Sequence, residues 1–249
     1  MTSKINDDGC FDAINCSTSR KPLGRKSYGS IGHLPNSRLG PSDSCVTEGQ
    51  SKICTVKARD KHDTIIVQEK LDGSNVGVAL LNGEIIPLSR AGYHASTSPY
   101  EQHHLFADWV VKHDKRFRGV LREGERICGE WLAQAHGTIY ACGLQWEPFA
   151  AFDIMVGPDR KTFQEFTQQL NMAFQTPTLL HCGKPLSVED AMQIHEKYRY
   201  PCDEIEGVVY RVERQGKVDF LAKYVRPDKV DGKYLTEISG HPAVWNWRP

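Results

Sequence analysis

The sequence contains no apolar run approaching the roughly eighteen residues that a membrane-spanning helix requires. Its N-terminus, MTSKINDDGCFDAIN, lacks the basic start and apolar core of a secretory signal peptide. There is no excess charge of either sign, because 31 basic residues balance 31 acidic ones. These absences argue against a membrane protein and a uniformly basic nucleic-acid coat, but they leave room for a local basic groove. We therefore expect a cytoplasmic protein.

Several common site motifs are also missing. The eight cysteines are scattered without a C-x-x-C pair or a zinc-type Cys/His spacing, which indicates reduced thiols. Neither G-x-x-x-x-G-K-[ST] nor G-x-G-x-x-G occurs. If the protein binds a nucleotide, neither of those glycine-rich loops holds its phosphates.

The N-terminal region differs in composition from the rest of the 249-residue chain. Residues 1–27 are rich in Ser, Asn, Asp and Lys, and we predict a mobile extension there. The overlapping stretch 17–41 has no acidic residue, and its five cations are Arg20, Lys21, Arg25, Lys26 and Arg38. It is either a solvated linker or an arm that contacts anions.

From residue 64 the pattern predicts strands and helices. The β-branched run TIIVQEK ends at Lys70, and SNVGVALL and EIIPLSR follow, joined by Asn82-Gly83, a strong hairpin signal. A helix is predicted from Ser98, as its cap, to about Val111. Further predicted elements are the strands RICGEWL, PFAAFDIMV, EGVVYRVE and VDFLAKYV, helices near 161–174 and 187–198, and a docking tail containing Trp245 and Trp247. This mixed order predicts an α+β fold with mainly antiparallel sheets and flanking helices, not a doubly wound sheet.

Five short stretches carry polar residues that suggest a shared chemistry: EKLDGSN, SRAG, CGEWL, AAFDIMV with EGVVYRV, and LAKYV. Each stretch alone has an ordinary structural explanation. Their order is Lys-x-Asp-Gly, Arg, Gly-Glu, Phe-Asp, Glu-Gly and Lys. That order resembles the covalent nucleotidyltransferase superfamily of ATP-dependent DNA ligases, RNA ligases and mRNA capping enzymes. Over about 28–229 the sequence is most similar to RNA ligases of the bacteriophage RNA ligase 2 type.

The resemblance implies an ATP-grasp-like nucleotidyltransferase domain over 28–249, without a separate C-terminal OB domain. It implies that Lys70 takes AMP onto its side-chain nitrogen, and Asp72 and Gly73 complete that motif. Glu206 is implied to be associated with a metal ion, Mg²⁺ or Mn²⁺. Lys223 is implied to contact the α-phosphate, so the implied catalytic residues are Lys70, Glu206 and Lys223.

The resemblance also implies contacts to the remainder of the nucleotide. Glu69 and Phe152 are expected at the adenine, the first helping to read it and the second stacking on it. Glu130 is expected to bind the ribose hydroxyls, and Arg90 the ribose or a phosphate. Asn75 is expected near the AMP phosphate or the RNA end. An ionised carboxylate and a flat apolar ring have the chemistry that ribose and a base require.

Three points remain open in the sequence. The phage enzymes often carry His where Asp72 stands. The last motif is commonly Lys-x-Lys, but this chain has Leu221-Ala222-Lys223, so that Lys223 serves alone or Arg226 or Lys217 compensates. Phe149 could also take the stacking role in place of Phe152.

The implied chemistry makes a demand on the nucleophile. A free lysine is almost wholly protonated at neutral pH, and an ammonium cannot attack phosphorus. Burial and neighbouring cations lower a lysine pKa. We therefore expect Arg90, Lys223 and a metal ion to lower the pKa of Lys70.

The predicted function is an ATP-dependent RNA ligase acting on RNA with 5′-phosphate and 3′-hydroxyl ends, including nicked duplexes. We expect a monomer, with an accessory protein or domain as an option for end sealing. A DNA ligase or a capping-type nucleotidyltransferase is the alternative among enzymes. A non-catalytic module that binds nucleotide or RNA ends is the alternative outside them.

Overall fold

The structure of the chain is a computed structural model that describes residues 20–141, 147–198 and 202–249. Its ten described strands are β1 (Gly32–His33), β2 (Asp63–Lys70), β3 (Ser74–Leu81), β4 (Glu84–Ser89), β5 (Glu125–Trp131), β6 (Phe149–Val156), β7 (Asp159–Arg160), β8 (Leu179–Gly183), β9 (Gly207–Arg214) and β10 (Lys217–Val225). Its six described α-helices are α1 (Glu48–Thr55), α2 (Glu101–Lys112), α3 (Asp114–Val120), α4 (Phe163–Leu170), α5 (Val188–Tyr198) and α6 (Thr236–Ser239). The predicted α+β class is confirmed.

The strands form two five-stranded sheets. The first has the order β1-β10-β9-β2-β8, and all its pairs are antiparallel except β1 with β10. The second has the order β4-β3-β5-β6-β7 and is wholly antiparallel. The motifs that the sequence analysis singled out are therefore divided between two sheets.

The predicted hairpin is confirmed as the connection between β3 and β4. Asn82 and Gly83 have φ values of 51° and 75°, and Leu81 pairs with Glu84 across the turn. Asn and Gly tolerate this left-handed backbone at low cost, which is why the pair predicts a two-residue turn.

Each sheet buries one face against helices. In β2, Ile65 and Val67 belong to a buried cluster that also contains Cys54 of α1 and Ala191 of α5. Because successive strand residues point to opposite faces, Lys70 lies on the other face of the first sheet. The second sheet packs on α2, α3 and α4 in the same way, through a separate cluster that includes their residues Phe106, Phe117 and Phe166.

The predicted start of α2 is wrong. The helix begins at Glu101 after Tyr100, and Ser98 instead ends a 3-10 turn, Ala95–Thr97. The N-cap is Tyr100, whose amide donates to the Ser98 hydroxyl at 3.3 Å, and that hydroxyl also lies 2.6 Å from Nδ1 of His103 in the first turn of α2. Among the described helices, none has the length and apolar content needed to cross a membrane.

The N-terminal arm, residues 20–47, crosses both sheets. Ser27 is fully buried, and its amide donates to the carbonyl of Arg90 at 3.0 Å. Further on, β1 extends the first sheet by pairing with β10. Within the predicted mobile extension, residues 1–19 lie outside the described part of the chain, whereas residues 20–27 approach the second sheet.

The predicted docking of the C-terminal tail is confirmed. Trp247 packs against Trp131 with ring centroids 5.8 Å apart, and the amide of Asn246 donates to the carbonyl of Ala133 at 2.8 Å. The tail therefore fastens the chain that follows β5.

A buried ionic cluster joins the sheets. Asp153 of β6 has no exposed surface; it accepts a 2.6 Å hydrogen bond from the Tyr28 hydroxyl and pairs with Arg160 at 3.2 Å. Its other oxygen pairs with Arg211 of β9, which is also buried. One carboxylate thus connects the arm, the second sheet and the first sheet.

We predict that Asp153→Ala lowers the free energy of unfolding by about 3–5 kcal/mol, because it leaves the Arg211 guanidinium buried without its anion. Urea denaturation at pH 7 measures this. As a control, Asp219→Ala removes the exposed partner of Arg59 and changes stability by less than about 1 kcal/mol. Equal losses in the two variants would contradict the assigned role of Asp153.

Candidate active site

A cleft of about 700 Å³ is lined by residues of both sheets and of the arm. This volume is within the usual range, roughly 300–1,000 Å³, for small-molecule sites. All ten residues that the sequence assigns to nucleotide chemistry line it: Glu69, Lys70, Asp72, Gly73, Asn75, Arg90, Glu130, Phe152, Glu206 and Lys223. The fold therefore brings together residues that lie up to 154 positions apart in the chain (69 to 223).

Lys70 is the last residue of β2, and the strand register fixes its nearest partner. It pairs with Gly207, the first residue of β9, which places the preceding Glu206 beside it. The Lys70 Nζ lies 2.6 Å from Oε2 of Glu206, and only 21% of the lysine side chain is exposed. The amine is thus fixed in the cleft by an ion pair.

The charges around Lys70 keep it protonated. Burial favours the neutral amine, but the carboxylates of Glu206, Glu130 and Asp72 outweigh burial and raise the pKa of Lys70. The protein's own groups, Arg90 and Lys223 included, therefore do not lower this pKa, and its lowering with a metal ion bound stays a prediction. Sequence reasoning counted the cations of the motifs and gave too little weight to their carboxylates.

The pKa values of the two glutamates beside Lys70, Glu130 and Glu206, are raised above the ordinary value of a glutamate. Burial raises the pKa of Glu130 to about 8, with Lys70 opposing the shift and Glu206 adding to it. Burial likewise raises the pKa of Glu206 to about 7, again against the effect of Lys70. Burial, together with the neighbouring carboxylates, thus favours the protonated forms of both glutamates, although Lys70 opposes this.

The Asp72-Gly73 turn after β2 is fixed by contacts with neighbouring residues. Asp72 pairs with the buried Lys229 at 2.8 Å. Burial raises the pKa of Asp72, but the charge of Lys229 outweighs burial, and the pKa of Asp72 is lowered. A side chain at Gly73 would place its Cβ 2.4 Å from the Trp131 carbonyl oxygen. The amide of Gly73 donates to Glu130 at 3.1 Å, so the turn also positions that carboxylate.

Asn75 and Arg90 present polar groups to the cleft. Asn75 pairs in register with Glu130 across β3 and β5, and its buried Oδ1 has no hydrogen-bond partner among the described residues. Arg90 follows β4, is exposed, and donates to the Ser30 hydroxyl at 3.2 Å. An unsatisfied acceptor and an exposed guanidinium are groups that a polar ligand can engage.

Phe152 reaches the cleft through a β-bulge. Gly129 pairs with Ala151 and Cys128 with Asp153, which leaves Phe152 as the extra residue. The strand is thus not regular, and Phe152 is half-buried at the cleft wall. Phe149 is fully buried in the aromatic core of the second sheet, so the alternative that it stacks on a base is wrong.

The last motif contributes one lysine to the cleft. Leu221 and Lys223 of β10 both line it, whereas Lys217 and Arg226 do not. Lys217 is exposed at the start of β10, and Arg226 pairs with Glu204. Neither of the two suggested compensating cations is at the site.

Both carboxylate oxygens of Glu69 have partners within the protein. Its Oε1 accepts hydrogen bonds from the amide and the hydroxyl of Thr178, both at 2.7 Å, and its Oε2 lies 3.3 Å from Nε2 of His195. Glu69 thus fixes the segment of Thr178, whose neighbour Pro177 lines the cleft. Its predicted role in reading adenine stays a prediction.

Sequence reasoning missed several groups that shape the cleft. Arg211 lies opposite Leu221 in the sheet register and pairs with Asp153, while Lys229 supports Asp72. Tyr28 closes one wall, with its ring 5.1 Å from that of Phe152. The one available signal was Asp153 within an apolar strand, since a buried carboxylate requires a partner.

The described residues contain no group of three or more His, Cys, Asp or Glu side chains arranged to hold a metal ion. Glu206 as a metal ligand therefore stays a prediction.

The raised pKa of Glu130 predicts a pH-dependent effect on stability. A carboxyl group with a higher pKa in the folded state stabilises the fold less as the pH rises from its unfolded value towards its folded value. The wild-type protein therefore loses stability as the pH rises from 5 to 8, and Glu130→Gln, which cannot titrate, does not. Over this interval the free energy of unfolding of Glu130→Gln should rise by on the order of 3 kcal/mol relative to that of the wild type. Urea denaturation at both pH values measures the difference.

The matched control is Glu84→Gln, which removes a carboxylate on the exposed surface. Its stability should follow that of the wild-type protein at both pH values. If the Glu130→Gln and wild-type curves ran parallel from pH 5 to pH 8, the buried-carboxylate assignment would be wrong.

Comparison with solved structures returns RNA ligases at low similarity. One archaeal ATP-dependent RNA ligase structure, designated form 2, is 19% identical, with 80% of this chain and 48% of that chain covered and a TM-score of 0.43. Form 1 of the archaeal ligase gives the same identity and coverage with a TM-score of 0.46. A Naegleria gruberi RNA ligase variant, solved with AMP and Mn, is 18% identical over 83% of this chain and 61% of that chain, with a TM-score of 0.46.

This chain thus spans about half the length of the archaeal ligases. The curated proteins contain no match. A family model described as RNA ligase matches residues 63–225, well over half of the chain, and includes the motifs from Lys70 to Lys223. The chain therefore belongs to the RNA ligase family.

Proposed function

We propose that this protein is an ATP-dependent RNA ligase in which Lys70 carries AMP as a covalent intermediate. The observation that carries the proposal is the position of the Lys70 amine. It lies in a cleft large enough for a nucleotide, 2.6 Å from Glu206 and among the other motif residues. A module that only binds nucleotide has no need of a buried lysine at this position.

In the first proposed step, Nζ of Lys70 attacks the α-phosphorus of ATP. A nitrogen–phosphorus bond forms, the bond from the α-phosphorus to the bridging oxygen breaks, and pyrophosphate leaves. The ammonium must first lose a proton, and Glu206 is positioned to accept it because its Oε2 lies within hydrogen-bond distance of Nζ. Phosphoryl transfer then requires mainly alignment and charge neutralisation.

The remaining residues are proposed to hold the nucleotide. Phe152, on its bulge, offers a ring face to the adenine, and Glu130 offers carboxylate oxygens to the ribose hydroxyls. Arg90 and Lys223 supply positive charge for the phosphates. Together they place the α-phosphorus against the Lys70 amine.

The donor set of the cleft fits a hard divalent cation. Glu206 and Glu130 supply carboxylate oxygens, and Mg²⁺ commonly uses one or two carboxylates together with substrate phosphates. Burial raises the pKa of both carboxyl groups, so a cation bound beside them would favour their ionised forms. When bound, Mg²⁺ or Mn²⁺ would supply positive charge next to the phosphates and the carboxylates.

In the later proposed steps, AMP passes from Lys70 to the 5′-phosphate of RNA, and the lysine regains its amine. A 3′-hydroxyl then attacks that 5′-phosphate, a phosphodiester forms, and AMP leaves. The arm supports RNA as the substrate because Arg25 and Lys26 are exposed and Lys21 lies 5.0 Å over the ring of Tyr93, a residue at the cleft. Nicked duplexes are included, and membership of the phage RNA ligase 2 type stays a prediction.

The direct test is incubation with α-labelled ATP and Mg²⁺ or Mn²⁺. The wild-type protein should retain an acid-labile label, and Lys70→Ala should reduce it to background, because the acceptor nitrogen is gone. Lys217→Ala, which removes an exposed lysine outside the cleft, should keep the label. An unlabelled wild-type protein that still binds ATP would identify the non-catalytic module instead.

The choice of substrate is tested with matched nicks. We expect sealing with an RNA 3′-hydroxyl strand, and labelling by ATP but not by GTP. Sealing confined to DNA would identify a DNA ligase, and labelling by α-labelled GTP would identify a capping-type enzyme.

The role of the arm is tested by the double variant Arg25→Glu/Lys26→Glu. It should weaken RNA binding by about tenfold or more at low salt and reduce the salt dependence of binding, because two phosphate contacts are lost. Labelling by ATP should not change. Lys217→Glu reverses a charge outside the cleft and is the control; if the double variant bound RNA with the wild-type salt dependence, the arm would not contact phosphates.

A further inference from the structure

Lys223 is a lone lysine in an unfavourable electrostatic setting. The neighbouring motif position is the apolar Leu221, and the other cations facing the cleft include Lys70 and Arg90. Burial lowers the pKa of Lys223, and the charges of Lys70 and Arg90 lower it further. A lysine expected to hold a phosphate must nevertheless remain an ammonium.

One carboxylate of the arm compensates. Asp43 Oδ1 lies 3.6 Å from the Lys223 Nζ, and Asp43 Oδ2 lies 3.0 Å from Nε2 of the buried His33. The amide of Gly40 donates to the same Oδ2 at 2.9 Å. The carboxylate is therefore fixed by its own turn and by β1 before it reaches the lysine.

The arm is attached to β10 on both sides of Lys223. His33 pairs in register with Lys223, and the amide of Leu34 donates to the carbonyl of Lys223 at 2.8 Å. The hydroxyl of Ser37 accepts from the amide of Val225 at 2.9 Å and lies 2.6 Å from Nδ1 of His33. These bonds hold Asp43 in place relative to Lys223.

We propose that Asp43 is a positioning residue that orients the ammonium of Lys223 and preserves its charge in the cleft. The inference rests on the proposed function, because it assigns Lys223 to the phosphates of ATP. Asp43 acts through Lys223 and has no contact of its own with the reacting atoms.

The groups facing Lys223 come from four elements. Asp43 and His33 belong to the arm, Lys70 to the end of β2, Glu206 to the start of β9, and Arg90 to the end of β4. Burial and Lys223 lower the pKa of His33, so this imidazole stays neutral at alkaline pH. An alkaline change in rate therefore does not report on His33, and replacing Lys223 by Arg separates the effect of Lys223 from that of Lys70.

The test is the rate of Lys70 labelling by α-labelled ATP as a function of pH. In Asp43→Asn the alkaline limb of the profile should move down by about one pH unit, with about tenfold slower labelling on that limb, because Lys223 loses its counter-charge. Asp43→Glu should restore most of the rate. Asp231→Asn, which removes an exposed partner of Arg38 in the same arm, should leave the profile unchanged.

Repeating the test in the variant Lys223→Arg separates this positioning role from a purely structural one. Arginine does not titrate in this range, so in Lys223→Arg the further change Asp43→Asn should no longer move the alkaline limb. The proposal is overturned if Asp43→Asn lowers the rate equally at every pH, or if the shift persists in Lys223→Arg. If the wild-type protein takes no label, the proposed function fails. If the wild-type protein is labelled and the pH profile of Asp43→Asn matches that of the wild type, only the role of Asp43 is contradicted.

Discussion

The fold is organised around one ammonium that is buried with an excess of carboxylates. Lys70 occupies the end of a strand, and Glu206, Glu130 and Asp72 surround it in a cleft that two sheets and the arm enclose. Removing such charges from water is costly unless they are paired. The structure meets this cost with direct pairs between Lys70 and Glu206 and between Asp72 and Lys229.

The same pairs hold the proposed nucleophile in its protonated form. The carboxylates stabilise the ammonium form of Lys70, and that form cannot attack phosphorus. Added positive charge at Glu206 and Glu130 would weaken this effect and favour the amine. Protein stability and reactivity at this site therefore make opposite demands, a common property of active sites.

Local sequence signals identified much of the architecture. Asn82-Gly83 specifies the hairpin because the two residues accept a left-handed backbone, and the β-branched run before Lys70 specifies its strand. The ordered motifs named ten residues of one cleft; Lys70, Asp72 and Arg90 lie at or just beyond strand ends, whereas Phe152 lies at the bulge inside β6. Local reasoning failed at Ser98, because a 3-10 turn precedes it and the helix begins later, with Tyr100 as its N-cap.

Long-range contacts have no comparable signal. The arm residues Tyr28, His33 and Asp43 precede the first motif and meet it only after folding, and their short stretches show neither strand nor helix periodicity. Lys229 is an ordinary lysine in sequence, and it becomes buried beside Asp72 and Thr138 only in the folded chain. The charge state of Lys70 likewise depends on the sum of all these neighbours.

The central claim is that Lys70 becomes covalently bonded to AMP. Its most direct measurement is mass spectrometry of the protein after incubation with ATP and a divalent cation, with the adduct mapped by proteolysis under conditions that preserve a phosphoramidate. The account predicts a single AMP adduct on the peptide VQEKLDGSN, localised to Lys70. An adduct on another residue, or none in a protein that seals RNA, would contradict it.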